Sequence, residues 1–289
     1  MNLNERASIL AELSPPFVIH EPEEQLTPVV FCSPHSGRIY PQAFLAASRL
    51  DPHTLRKSED CYVDELFLPV VDLGAPLIAA RFPRAYLDVN REPYELDPEL
   101  FSGRLPDFAN TQSARVIGGL GTIARIVADS EEIYRERMPI GVPFERIEQL
   151  YRPFHAALAG LLEATRKRFG VAVLIDCHSM PSSAIGQPPG ARPHFVLGDR
   201  FGASCDAKLT RFVRDLLVIR LKHPPTPTSL AALNEDFADI IAGDPFHLIP
   251  PTPEEADDAE HLDFHRIAFG FNRHDYGRLR QLIDVLNHY

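Results

Sequence analysis

Two spacings of apolar residues alternate along the chain. Short unbroken or alternating runs, "TPVVFCS" at 27–33, "LIAARF" at 77–82, "AYLDVN" at 85–90, "VAVLIDCHSMPS" at 171–182 and "HFVLGD" at 194–199, predict β-strands. The run at 171–182 has little polar alternation, the pattern of a central strand covered on both faces. Elsewhere the period is three to four. Val63, Leu66, Phe67 and Val70 predict a helix within 59–74, stopped by Gly74. From Pro143 to Phe169 one face carries Ile147, Leu150, Tyr151, Phe154, Leu158, Leu161 and Leu162, with a bend expected at Pro153. "ASCDAKLTRFVRDLLVIRLK" at 203–222 predicts a further amphipathic helix. Strands alternating with helices predict an α/β fold with a mainly parallel sheet between helix layers.

Two stretches break this rhythm. Residues 95–122 are rich in Gly, Pro, Asp and Asn and read as loops, which often carry function. After Lys222 the chain turns Pro-rich and acidic ("KHPPTPTS", "LIPPTPEEADDAEH") and reads as surface loop or linker, until "RLRQLIDVLNHY" at 278–289 closes with a helical pattern.

Composition narrows the partners. The 289 residues, 45% hydrophobic, suffice for one large α/β domain or two ordinary ones. A formal charge of −11 argues against nucleic acid and anionic membranes. No stretch approaches a membrane span, and the charged N-terminal segment lacks a signal-peptide core, so a cytoplasmic protein is expected. Cys32, Cys61, Cys177 and Cys205 are too widely spaced to signal a disulfide framework or a thiolate metal cage, and read as reduced, mostly buried residues.

Polar residues stand where predicted strands end: His35, then Asp88, Asn90 and Arg91, then Asp176 and His178, then Asp199. Ligands of open α/β sheets bind beyond such carboxyl ends. His35 and His178 with a carboxylate, Glu59 or Asp60, could form a three-ligand zinc site with an open position; the alternative is a pair of structural histidines. Arg81, Arg84 and Arg91 form a second group, able to grip an anionic small molecule by bidentate forks or to make salt bridges to Asp88, Glu92 and Glu95. "GGLGT" at 118–122 fits a tight turn better than a phosphate loop, and Ser36 and Ser179 lack a GxSxG context. His155 reads as a packed, hydrogen-bonded helix residue.

The blocks "SPHSGRIYP", "RKSEDCYVDELF", "RFPRAYLDVNREPYELDP", "IYRERMP", "YRPFHAAL", "LIDCHSMPS" and "FVLGDRFGASCD" occur in order over roughly residues 25–215, and together they resemble the N-formylglutamate amidohydrolase family. That resemblance implies a single domain over residues 1–289 with a divergent tail at 222–289, built as a three-layer α/β/α fold around a mixed, mostly parallel sheet and similar to zinc carboxypeptidases and aspartoacylase. It further implies zinc-dependent hydrolysis of N-formyl-L-glutamate, or a related N-acyl acidic amino acid, within histidine degradation. His35, Asp60 and His178 would hold one Zn2+, with Glu59 the alternative to Asp60, although carboxypeptidase-like enzymes usually place their acid where this chain has Arg38. Other divalent ions also suit that donor set. Arg81, Arg84, Asn90 and Arg91 would bind substrate carboxylates. The family's "QIEINR"-like strand, whose glutamate shuttles the proton, has no evident counterpart after Leu221, so the general base is unassigned. A homologue that binds metal and carboxylate without turnover is therefore the second expectation.

Overall fold

The computed structural model describes residues 3–127, 130–180, 195–222 and 264–272. In chain order the elements are α1 (Leu3–Glu12), β1 (Phe17–His20), β2 (Val29–Ser33), α2 (Gln42–Ala47), α3 (Pro52–Leu55), α4 (Val63–Phe67), β3 (Leu77–Ala80), β4 (Phe101–Ser102), α5 (Ala114–Ile117), β5 (Met138–Pro139), α6 (Gly141–Arg146), α7 (Arg152–Phe169), β6 (Ala172–Met180), β7 (Phe195–Gly198), α8 (Ala207–Lys222) and β8 (Phe264–Asn272). Among the described residues six strands form a sheet in the order β1-β3-β2-β6-β8-β7, and β4 pairs with β5. Parallel ladders join β2 to β6 and β6 to β8, whereas β7 runs antiparallel to β8. The fold is thus mixed α/β with a mostly parallel central sheet. Among the described residues no helix is long and apolar enough to cross a membrane.

The chain divides into two compact units, the first comprising residues 1–19, 33–64 and 78–159 and the second residues 20–32, 65–77 and 160–289. In the first, Phe44 packs against the rings of Tyr86 and Tyr134. The buried Arg146 guanidinium stacks on Tyr86, 3.7 Å from the ring centroid, and donates through Nε to Glu5 of α1 at 2.6 Å. A cation removed from water needs such partners, and here they also fasten α1. In the second unit Val173, Cys205, Leu209 and Ile267 form the buried core, with Val29, Ile175, Leu197 and Phe212 packed against it. The apolar run at the start of β6 therefore has apolar neighbours from β8 and α8.

Three expectations need correction. Residues 85–90, buried up to Val89, form no strand: Tyr86 and Leu87 donate to the Pro83 carbonyl in a turn, and the Asp88 N–H goes to the Thr122 carbonyl instead of a ladder. The helix expected over 59–74 is short, because Tyr62 adopts φ 62° just before α4 and a 3-10 turn at Leu68–Val70 follows it. The stretch after Lys222, read as surface loop, contains β8, one of the most densely paired strands; alternation of half-exposed Arg266 with buried Ile267 and Phe269 was its signal. The helix expected at 278–289 lies outside the described residues. Between α6 and α7 the chain makes a π-helical turn at Ile147–Tyr151, close to the expected bend, where Pro153 has no N–H to offer Gln149.

Candidate metal centre

The loop after β2 is shaped by what it must pass. A Cβ on Gly37 would lie 2.1 Å from the Phe82 carbonyl oxygen, so only glycine lets the loop run this close to the neighbouring backbone. The Ser33 and Ser36 hydroxyls bond each other at 2.7 Å across the turn. Between them His35 is 1% exposed. Its Nε2 lies 2.7 Å from Asp88 Oδ1 and its Nδ1 3.5 Å from Asp60 Oδ2, while the Asp60 N–H donates to the His35 carbonyl at 3.0 Å.

Asp88 is the hub of this unit's polar cluster. It also accepts from Arg84 Nε at 3.0 Å and from the Asn90 N–H at 2.9 Å, and Arg91 Nη2 stands 3.4 Å away. Burial alone would push its carboxyl up; the interaction with His35 and the charges of Arg84 and Arg91 outweigh that and hold it well below the usual carboxylate range. An anionic Asp88 fixes the Nε2–H tautomer of His35 and turns Nδ1 toward Asp60.

In the second unit β6 repeats the device with fewer parts. Asp176 and His178 are two residues apart and so share a face of the strand, with Asp176 Oδ2 3.1 Å from His178 Nε2. Arg266 of β8 bonds the same oxygen. Burial again opposes ionisation and is outweighed, here by His178 and Arg266, so the Asp176 carboxyl is held low. The neighbouring thiols of Cys32 and Cys177 go the other way, pushed up by burial and then by the Asp176 charge.

One donor atom each from His35, Asp60 and His178 lies within 4.8 Å of the others, a group that could hold a metal ion. The donor chemistry fits a zinc-like divalent ion: two imidazoles, each with Nε2 on an aspartate, and one buried carboxylate. Glu59 is outside this group, its carboxylate bonded to Arg56 (2.8 Å) and Tyr40 (3.1 Å). Arg81 donates to the Pro15 carbonyl at 2.7 Å. Arg91 donates through Nε to Leu120 and through Nη1 to Asn90, besides its contact with Asp88. The salt bridges that Arg84 and Arg91 could make to Asp88 are thus present. Gly119, at φ 74°, makes the tight turn expected in "GGLGT", and His155 bonds the Val89 carbonyl at 2.8 Å and packs on Tyr151. The anchoring roles of Asp88 and Asp176 were not read from the sequence, although their signals were there: arginines four before and three after Asp88, and the Asp-x-His spacing in β6.

A mostly parallel α/β sheet with a His/Asp/His donor group defines a candidate metalloprotein of the α/β class. The family model described as N-formylglutamate amidohydrolase matches residues 27–242, and the chain belongs to that family. It is 30% identical over 184 residues to a protein named N-formylglutamate deformylase from Pseudomonas putida and 28% identical over 189 residues to one of the same name from Pseudomonas aeruginosa. Each match covers 63% of this chain; it spans 62% of the first relative's length and 63% of the second's. The crystal structure of N-formylglutamate amidohydrolase from Ralstonia eutropha JMP134 superposes with a TM-score of 0.73 at 28% identity, covering 94% of this chain and 95% of the other.

Proposed function

We propose that this protein hydrolyses N-formyl-L-glutamate, or a related N-acyl acidic amino acid, to formate and the free amino acid, with one Zn2+ held by His35, Asp60 and His178. The observation that carries this reading is the His35/Asp60/His178 donor group in a chain of this family. The proposal includes a three-layer, zinc-carboxypeptidase-like architecture and a soluble cytoplasmic setting, without nucleic acid or membrane as partner.

Zinc bound there would supply Lewis acidity and a water acidified toward neutral pH. The chain's own residues do the rest. Asp88 and Asp176 hold the Nε2 protons of the two imidazoles and so leave each Nδ1 as the donor nitrogen. Arg81, Arg84, Asn90 and Arg91 are proposed to receive the substrate carboxylates, which fixes the scissile amide and converts remote binding into orientation. Zinc-loaded protein should release formate from N-formylglutamate, and His178→Ala should abolish both stoichiometric zinc binding, measured by elemental analysis, and turnover. Well-folded, zinc-loaded protein that cleaves no N-acyl amino acid would refute the hydrolase reading.

A second reading is favoured by one feature of β8. Its sequence "FHRIAFGFN" contains no Asp or Glu, and Gly270 is the Cα partner of His178 in the parallel ladder. With Arg273 following, "FGFNR" can be laid on the "IEINR" part of the family's strand, which sets Gly270 where the proton-shuttling glutamate stands. On this reading the protein keeps metal and carboxylate binding but has lost the shuttle. Calorimetric binding of N-formylglutamate to zinc-loaded protein without formate release would establish it, whereas a robust wild-type rate would exclude it.

A further inference from the structure

The first unit holds a cavity lined by none of the three donor residues. Its volume is about 360 Å3, at the small end of the roughly 300–1,000 Å3 usual for small-molecule sites. Its lining includes four arginines, Arg49, Arg125, Arg135 and Arg137, against three glutamates, Glu99, Glu132 and Glu136. That is a local cationic surplus in a chain of net charge −11. Opposing the overall field in this way is what the binding of a small anion requires.

Three of the four guanidinium groups are held in place before any ligand arrives. Arg49 donates through Nε to the Tyr134 carbonyl at 2.9 Å, Arg135 through Nε to the Ser48 carbonyl at 2.8 Å, and Arg125 through Nε to Asp97 at 2.8 Å. A guanidinium pinned at Nε has its terminal nitrogens fixed in one plane, so less rotamer freedom remains to be lost on binding. Glu132 is shared between Arg49 at 3.0 Å and Arg125 at 3.7 Å. Among the described residues Arg135 and Arg137 form no ion pair with a carboxylate, so two full charges in the wall are not neutralised.

We propose that this cavity binds a small multianion, a metabolite-sized compound carrying two or more negative charges on phosphate or carboxylate groups, with Arg135 and Arg137 as its principal contacts. Guanidinium forks take such oxygens in pairs, and two of them lining one cavity favour a dianion over a monoanion. Titration calorimetry on the purified full chain, at a constant ionic strength of about 0.15 M, tests this with inorganic phosphate, succinate and acetate. Saturable binding of phosphate, of succinate or of both is expected, with acetate binding at least about tenfold more weakly. Phosphate alone would identify a phosphate-bearing ligand and succinate alone a dicarboxylate. Arg137→Ala should weaken the binding about tenfold or more at unchanged melting temperature, and Arg211→Ala on α8 should leave it unaltered. No saturable binding at concentrations up to about 20 mM, equal binding of acetate, or binding untouched by Arg137→Ala would overturn the proposal. The titration needs neither metal nor turnover, so its outcome is separate from that of the formate assay.

Discussion

The polar cluster around His35 and the one around His178 are built on one plan with unequal redundancy. Each has an imidazole Nε2 on a buried aspartate that is itself held by arginine. Asp88 has three donors besides the histidine, two of them arginines, and His35 is 1% exposed. Among the described residues one arginine holds Asp176, Arg266, whose side chain is 45% exposed, and the His178 side chain is 17% exposed. An imidazole carried by a loop needs several anchors to fix its direction. One carried inside β6 has its direction set largely by the strand, and a single anchor suffices.

That contrast can be broken most sharply at Asp88. Asp88→Ala leaves buried His35 and the partly buried Arg84 and Arg91 without their shared anion and is expected to cost about 3–5 kcal/mol, measured by denaturant unfolding. Gly37→Ala attacks the same loop through sterics; its Cβ meets backbone that cannot step aside, and a loss of about 3 kcal/mol is expected in the same unfolding measurement, with weakened zinc binding by elemental analysis. Asp176→Ala should cost less, about 1–3 kcal/mol, because half-exposed Arg266 can turn to water. A loss equal to that of Asp88→Ala would dissolve the distinction. The smallest effect concerns the thiols of the second unit. Burial pushes the Cys205 thiol up to about 11, so its neutral-form contribution to stability is intact below the unfolded value near 8.5 and is lost as pH rises toward about 11. At neutral pH, iodoacetamide followed by mass spectrometry should leave Cys32, Cys177 and Cys205 unmodified in the wild type and modify half-buried Cys61 first. In Asp176→Ala, Cys32 and Cys177 should stay unmodified, because burial, the larger cause of the upward push on both thiols, is untouched.

How much of this was legible depended on whether periodicity and chemistry coincided. β2, β3, β6, β7, α7 and α8 were readable because their apolar runs match the period of the element they form. Residues 85–90 misled because burial, not strand pairing, selects Tyr86, Leu87 and Val89. β8 was hidden because it follows a long Pro-rich, acidic segment, and local composition carries no information about a strand's distant partner. At the site, the spacing of His35, Asp60 and His178 along the chain said nothing of proximity; ordered family blocks suggested it, and the donor atoms do lie together. The arginines near Asp88 were legible as charge but ambiguous in role, since a guanidinium that can grip a ligand can equally grip a neighbouring aspartate.

The position of β8 also bears on how the protein is made. β8 lies between β6 and β7 although it comes after both in the chain. While a ribosome is still extending the chain short of Phe264, the edge of β6 that pairs with β8 is open and β7 lacks the strand it pairs with. Such an edge invites pairing with another chain, so the nascent protein is at its most aggregation-prone just before β8 arrives.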